Sequence, residues 1–292
     1  MTQDQTPIAG CMRWGKWGAN FSTNQYRQMI DACLAVGIQT FDHADIYGHY
    51  TTEAEFGNAL KEAPSLRQQL KIITKCGIQM MSDNRQSHHL KSYNTTEQFI
   101  IASVEQSLRN FHTEYIDVLL IHRPSPLLNP HEVASAITKL QEQGKILAFG
   151  VSNFLPHQVD LLLKYIPISV NQIEVSIVEL AAINNGSLDN CLQHDIIPMA
   201  WSPLGGGSIV DHSTNDRFKN ITATAKALAD QYQTTINQIF IAWLLALPAK
   251  VIPVMGTSKI DRLMEAKSAS TITLQQEDWF KLYEASTGQE VA

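Results

Sequence analysis

A chain of 292 residues is long enough for one large α/β barrel or two ordinary domains. With 44% hydrophobic and 17% charged residues it is globular rather than disordered, and a net charge of -6 offers no basic face for nucleic acid. Cys11, Cys33, Cys76 and Cys191 stand far apart with no C-x-x-C pair, which supports neither a zinc site nor a disulfide framework and suits a reducing cytosol.

The start, Met1-Thr2-Gln3-Asp4, is polar and has neither the basic n-region nor the apolar h-region of a signal peptide. No apolar run reaches the ~18 residues that a membrane span needs. The expectation is a cytoplasmic protein that is not membrane-bound.

Short apolar runs alternate with amphipathic ones along the chain. Strand-like runs fall at residues 38–41, 70–74, 116–121, 146–151, 168–173, 196–200 and 251–254, with a weaker one at 8–12. A helix over 24–35 opens behind Ser22 and Thr23 and stops at Gly37. Residues 53–62 read as a second helix, and 96–110 as a third behind Thr95 with Glu97 in its first turn. A helix over 127–143 follows a Pro-rich turn and ends at Gly144, and 156–165 and 261–266 read similarly. Eight strands, each followed by a helix or an irregular loop, imply a parallel sheet. Eight such units in this length fit a closed (β/α)8 barrel better than an open doubly wound sheet, and no G-x-G-x-x-G follows the first strand. Two stretches break the alternation and read as loops, 78–93 and 205–220. Both follow strand ends on the face where such barrels keep their active sites. With no linker or repeat, one domain over residues 1–292 is expected.

Four side chains stand out against this background. Asp42 closes one apolar run and Tyr47 follows it, Lys75 closes a second, and His122 closes a third in Leu-Leu-Ile-His-Arg-Pro. Singly, each has an ordinary reading: a turn-forming Asp, a packed Tyr, a snorkelling Lys and a satisfied His. Together they suit proton donation to an oxygen. A free tyrosine has a pKa near ~10, a neighbouring ammonium lowers it, and a carboxylate keeps that ammonium charged and oriented. His122 would hydrogen-bond a substrate oxygen. Nothing in the set is a strong carbon nucleophile or a metal site.

These residues resemble the aldo-keto reductase superfamily in its bacterial, NADP(H)-dependent form, and the resemblance spans nearly the whole chain. It is carried by Asp42-x4-Tyr47, Lys75 and His122, and by Phe149-Gly150-Val151-Ser152-Asn153 and Asn171-Gln172-Ile173-Glu174. Ala200-Trp201-Ser202-Pro203-Leu204-Gly205 and the run Val251 to Ser258 add to it. The resemblance implies an α/β fold, the (β/α)8 TIM barrel with an N-terminal β-hairpin and two additional helices. It implies Tyr47 as general acid, Asp42 and Lys75 as its tuners, and His122 as the residue that orients the carbonyl. NADP(H) would be the cofactor. Ser152, Asn153 and Gln172 would hold its carboxamide and Trp201 would stack on the nicotinamide. Ser202, Leu204 and Gly205 would line the pyrophosphate, and Gly256, Thr257 and Ser258 the adenosine half.

The family's Arg and Glu, three residues apart, match Arg262 and Glu265, and Lys259 with Arg262 beside Ser258 suits a 2′-phosphate. Ala266 stands where many members carry Asn, and His43 where many carry a small hydroxyl residue. His88-His89 in the 78–93 loop reads better as a solvated edge than as a metal site, and Trp14, Trp17 and Phe21 suit pocket wall or packing equally.

The implied activity is reduction of aldehyde or ketone carbonyls, of the alcohol dehydrogenase or carbonyl reductase type. The partner would be a small carbonyl compound, and the protein a monomer or weak homo-oligomer. An NADPH-binding sensor subunit and a sugar lyase or epimerase are the alternatives.

Overall fold

In a computed structural model that describes residues 5–207 and 215–292, eight short parallel strands form the centre of the fold. They are β1 (Ile8–Gly10), β2 (Thr40–Asp42), β3 (Lys71–Cys76), β6 (Ile116–Ile121), β7 (Ile146–Ser152), β8 (Val170–Glu174), β9 (Ile197–Trp201) and β10 (Ile252–Met255). The closed order is β1-β10-β9-β8-β7-β6-β3-β2, a (β/α)8 barrel. Strands buried on both faces carry few polar residues, which is why these runs read as continuous apolar segments. The register sets Lys75 beside Leu120 and Ser152 beside Gln172.

Local chemistry starts the helices where the chain leaves the strands. Ser22 and Gln25 form a capping box at Thr23–Ala35, Asn129 caps Pro130–Glu142, and Thr235 with Gln238 caps Ile236–Leu245. Each cap satisfies backbone N–H groups that the first turn leaves unpaired.

The residues form two compact units, one of Ile8–Gln172 with Gly256–Ile260, the other of Ile173–Met255 and Asp261–Ala292 with the residues up to Pro7. The first is built around an aromatic cluster in which Trp14 meets Phe21, Tyr26, Phe41 and Phe56 at ring centroids 5.9–6.4 Å apart. In the second, Trp243 stacks on Trp279 at 4.9 Å, and each indole N–H donates to the other residue's carbonyl.

Two additional helices occur as expected, Asp216–Gln231 and Gln276–Thr287, and they pack against each other. The expected N-terminal hairpin is absent among the described residues. Among them β1 pairs in parallel with β2. The short antiparallel sheet lies instead after β3, where β4 (Ile78–Gln79) meets β5 (Ser92–Tyr93) and closes the base of the 78–93 loop. The stretch 205–220, read as a loop, becomes helical from Asp216 because the Asn215 side chain accepts from Arg217 N–H. Residues 208–214 of that stretch, like Met1–Asp4, lie outside the described residues.

Candidate active site

Asp42, Tyr47, Lys75 and His122, far apart in sequence, meet in the first unit. Asp42 ends β2, Lys75 is the penultimate residue of β3, and His122 directly follows β6. Lys75 is 1% exposed and Asp42 3%, so neither charge is solvated and each depends on the other. Lys75 Nζ donates to Asp42 Oδ1 and Oδ2 at 2.8 Å each and to the His43 carbonyl at 2.7 Å, and it lies 3.2 Å from the Tyr47 hydroxyl. The Tyr47 ring stands edge-on to His122 with centroids 6.2 Å apart.

The electrostatics differ from the sequence expectation in one respect. Burial raises the Tyr47 phenol above its ordinary value, and this outweighs the downward pull of Lys75. Tyr47 is therefore fully protonated at neutral pH, the form that can donate. Burial disfavours the Lys75 ammonium, but Asp42 and Tyr47 together hold it above its usual range and keep it charged. Burial first, then Lys75, Arg123 and Lys91, push His122 well below the ordinary histidine range, so its imidazole is neutral.

Ser152, Asn153 and Gln172 join this group through hydrogen bonds. Ser152 Oγ and Asn153 N–H both donate to the Gln172 backbone carbonyl at 2.9 Å, and Asn153 Nδ2 donates to Ser152 Oγ at 2.8 Å. Gln172 Nε2 donates to Asp42 Oδ1 at 2.8 Å, a link that sequence reasoning did not find because the two residues stand 130 positions apart.

The segment after β10 belongs to the same unit as far as Ile260. Gly256 is exposed, and a Cβ there would meet nothing within 4 Å. Thr257 is anchored, its carbonyl accepting from Trp14 Nε1 at 2.8 Å and its Oγ1 from Lys259 N–H at 3.2 Å. Ser258 is half-buried and Lys259 exposed.

In the second unit, Trp201 ends β9 and Ser202 adopts a left-handed conformation (φ 49°) in a tight turn closed by Gly205 N–H on the Ser202 carbonyl. Leu204 packs on that unit's core. Arg262 is exposed and makes no ion pair among the described residues, whereas Glu265 accepts from Thr235 Oγ1 and Asn237 Nδ2. Ala266 is buried on the inner side of its helix.

The aromatic residues near β1 divide between the two readings given above. Trp14 is fully buried in the core cluster, while Trp17 is half-buried and packs 6.0 Å from Tyr47. After Tyr47, the residues Gly48, His49 and Tyr50 are all left-handed, and the 78–93 loop holds them there. Asn84 Nδ2 donates to the His49 carbonyl, Met80 N–H donates to the Tyr50 hydroxyl at 2.8 Å, and Arg85 lies over the Tyr50 ring. His88 Nδ1 sits 3.2 Å from the Met80 carbonyl. Gly48 is the sole sequence hint of this turn. Among the described residues no group of His, Cys, Asp and Glu is placed to hold a metal ion. A cavity of about 310 Å³ is lined by Asp45, Tyr50, Glu53, Arg85 and His88 among others, but by none of Asp42, Tyr47, Lys75 or His122.

Residues 8–286 match the model of the aldo/keto reductase family. The chain is 42% identical to an uncharacterized oxidoreductase, YcsN, of Bacillus subtilis, covering 97% of this chain and 95% of the relative. It is 40% identical to a 6-dehydroglucose reductase of Agrobacterium fabrum, covering 96% and 95%, and 40% identical to the oxidoreductase YdhF of Escherichia coli, covering 97% and 94%. The crystal structure of a thermostable aldo-keto reductase superposes with a TM-score of 0.79 at 25% identity, covering 96% of this chain and 94% of the other. No helix among the described residues is long and apolar enough to cross a membrane. The chain belongs to the aldo/keto reductase family of oxidoreductases.

Proposed function

We propose that this protein reduces aldehyde or ketone carbonyls to alcohols with NADPH, using Tyr47 as the general acid. The observation that carries the reading is the buried Lys75 ammonium, held by Asp42 and set 3.2 Å from the Tyr47 hydroxyl. As negative charge develops on a carbonyl oxygen, Tyr47 gives up its proton and the phenolate left behind faces Lys75. Asp42 keeps Lys75 charged and aimed. His122, neutral, retains one N–H with which to orient the carbonyl oxygen.

NADPH, when bound, supplies the hydride. Its carboxamide would be held by Ser152, Asn153 and Gln172. The fit is supported by the Gln172 side-chain oxygen, which makes no hydrogen bond with a described residue while its nitrogen is engaged. Gly256, Thr257 and Ser258 would cover the adenosine half, and Lys259 and Arg262 would read the 2′-phosphate, a role suited to the exposed guanidinium of Arg262, which makes no ion pair among the described residues. The roles of Trp201, Ser202, Leu204, Gly205 and Glu265 rest on the family resemblance alone. The name of the Agrobacterium relative points to an aldehyde derived from a sugar as the first substrate class to try. Four buried free thiols suit a reducing, cytosolic compartment, and the family match over residues 8–286 supports one functional domain.

The test is NADPH consumption with sugar-derived aldehydes, aromatic aldehydes and α-dicarbonyls, run beside Tyr47→Phe. The variant is expected to lose turnover by about 10³-fold while keeping NADPH affinity within about twofold, because the phenol serves proton transfer rather than binding. Equal turnover by the variant and its parent overturns the assignment.

A further inference from the structure

We infer that Gln172 is a positioning residue that couples the carboxamide end of the proposed site to the acidity of Tyr47 through Asp42. The inference rests on the reductase reading above.

Gln172 lies in β8 and is 2% exposed. Its Nε2 donates to Asp42 Oδ1, the same oxygen that receives Lys75 Nζ, both at 2.8 Å. The orientation of the amide is fixed by chemistry. An ionised carboxylate only accepts, so the nitrogen must face Asp42 and the oxygen must face away. Gln172 therefore offers an acceptor to any ligand, and that acceptor suits the N–H of a carboxamide and opposes a carboxylate.

The two ends of this amide act on each other. A ligand N–H bound at Oε1 polarises the amide and strengthens the N–H that Asp42 receives. Asp42 then shares more of its charge with Gln172 and less with Lys75, and Lys75 stabilises the Tyr47 phenolate more effectively. The titratable groups facing Tyr47 are Lys75 from β3, Asp42 from β2, Cys11 after β1 and His122 after β6. Among them the negative charge of Asp42 is the one that Gln172 touches. Gln172 also holds Ser152 and Asn153 through its backbone, since its carbonyl receives both.

The experiment uses Gln172→Met, Gln172→Glu and Ser152→Ala, with two readouts. One is the NADPH dissociation constant from fluorescence titration of the protein without substrate. The other is the pH above which kcat for carbonyl reduction falls. Gln172→Met is expected to weaken NADPH about fivefold, the loss of one hydrogen bond, and to move the fall in kcat to higher pH, because Asp42 then opposes Tyr47 ionisation more strongly. Gln172→Glu, whose buried carboxyl shares a proton with Asp42 and so keeps a donor on it, moves it less than Gln172→Met does. Ser152→Ala weakens NADPH and leaves the pH profile in place. If both Gln172 variants keep the parent's pH profile, the coupling is wrong even though the reductase reading stands. If the parent protein itself shows no NADPH-dependent turnover across the panel, the reductase reading fails and the inference falls with it.

Discussion

His43 follows Asp42 directly, yet only its backbone reaches the proposed site, where its carbonyl receives Lys75 Nζ at 2.7 Å. Its ring points the other way, edge-on to Phe56 at 4.6 Å and Phe111 at 5.1 Å, and neither ring nitrogen has a hydrogen-bond partner. Burial, helped by Lys75, lowers its pKa from 6.5 to about 3. Between those values the unfolded chain takes up a proton that the folded one refuses. The stability tied to His43 is therefore complete above about pH 6.5 and is lost as the pH falls through this window towards about 3. His43→Phe keeps an aromatic ring against Phe56 and Phe111 and removes the titration. It should narrow the gap between the Tm at pH 7 and the Tm at about pH 4.5, and an unchanged gap would show that the ring does not resist protonation. Asp42, Tyr47, Lys75 and His122 were legible in the sequence because an ionisable group at the end of an apolar run needs an explanation. The direction of the His43 ring follows from the two-residue period of a strand, which turns it away from the face of Asp42. The Gln172 contact was not legible, because no local pattern records which distant strand becomes a neighbour.

At the scale of elements, the helices Thr52–Glu62 and Glu97–Phe111 approach until backbone meets backbone. A Cβ added at Gly57 would lie 1.9 Å from the Asn110 carbonyl oxygen. One turn earlier, Glu53 is 2% exposed and bridges the two helices and β3, accepting from Thr74 at 2.7 Å and from Ser107 and Asn110 at 2.9 Å each. Gly57→Ala should force the helices apart and strain these bonds, costing about 2–4 kcal/mol. Urea unfolding measures it, and a variant as stable as the parent would show that the helices separate freely. The sequence marks both helices by their apolar period, and it gives Ile116–Ile121 its observed bounds. The strands β2, β3, β8, β9 and β10 begin one or two residues later than their apolar runs, since burial sets the run and the hydrogen-bond ladder sets the strand. Ile236–Leu245 escaped notice because it is apolar on nearly every side and so has no amphipathic period. Asp216–Gln231 was obscured by the Gly- and Ser-rich residues before it.

For the whole molecule, the proposed cofactor is a test of stability as well as of activity. A ligand that binds only the folded state stabilises it by about 2.7 kcal/mol at a hundred times its Kd, which for a chain of this size amounts to a rise of roughly 5 °C in Tm. Arg262 is exposed and makes no ion pair among the described residues, so its removal should cost little stability by itself. Glu265, three residues on, is committed to Thr235 and Asn237 and makes a poorer probe, because its loss also frees the start of Ile236–Leu245. NADPH should therefore raise the Tm of the parent more than an equal concentration of NADH does. Arg262→Ala should bring the NADPH response down to the NADH response while leaving the latter and the unliganded Tm in place. A bidentate guanidinium contact to the 2′-phosphate has no counterpart in NADH, which lacks that group. If Arg262→Ala lowered both responses equally, Arg262 would be holding the shared part of the dinucleotide, and the choice between the two cofactors would lie with Ser258 and Lys259.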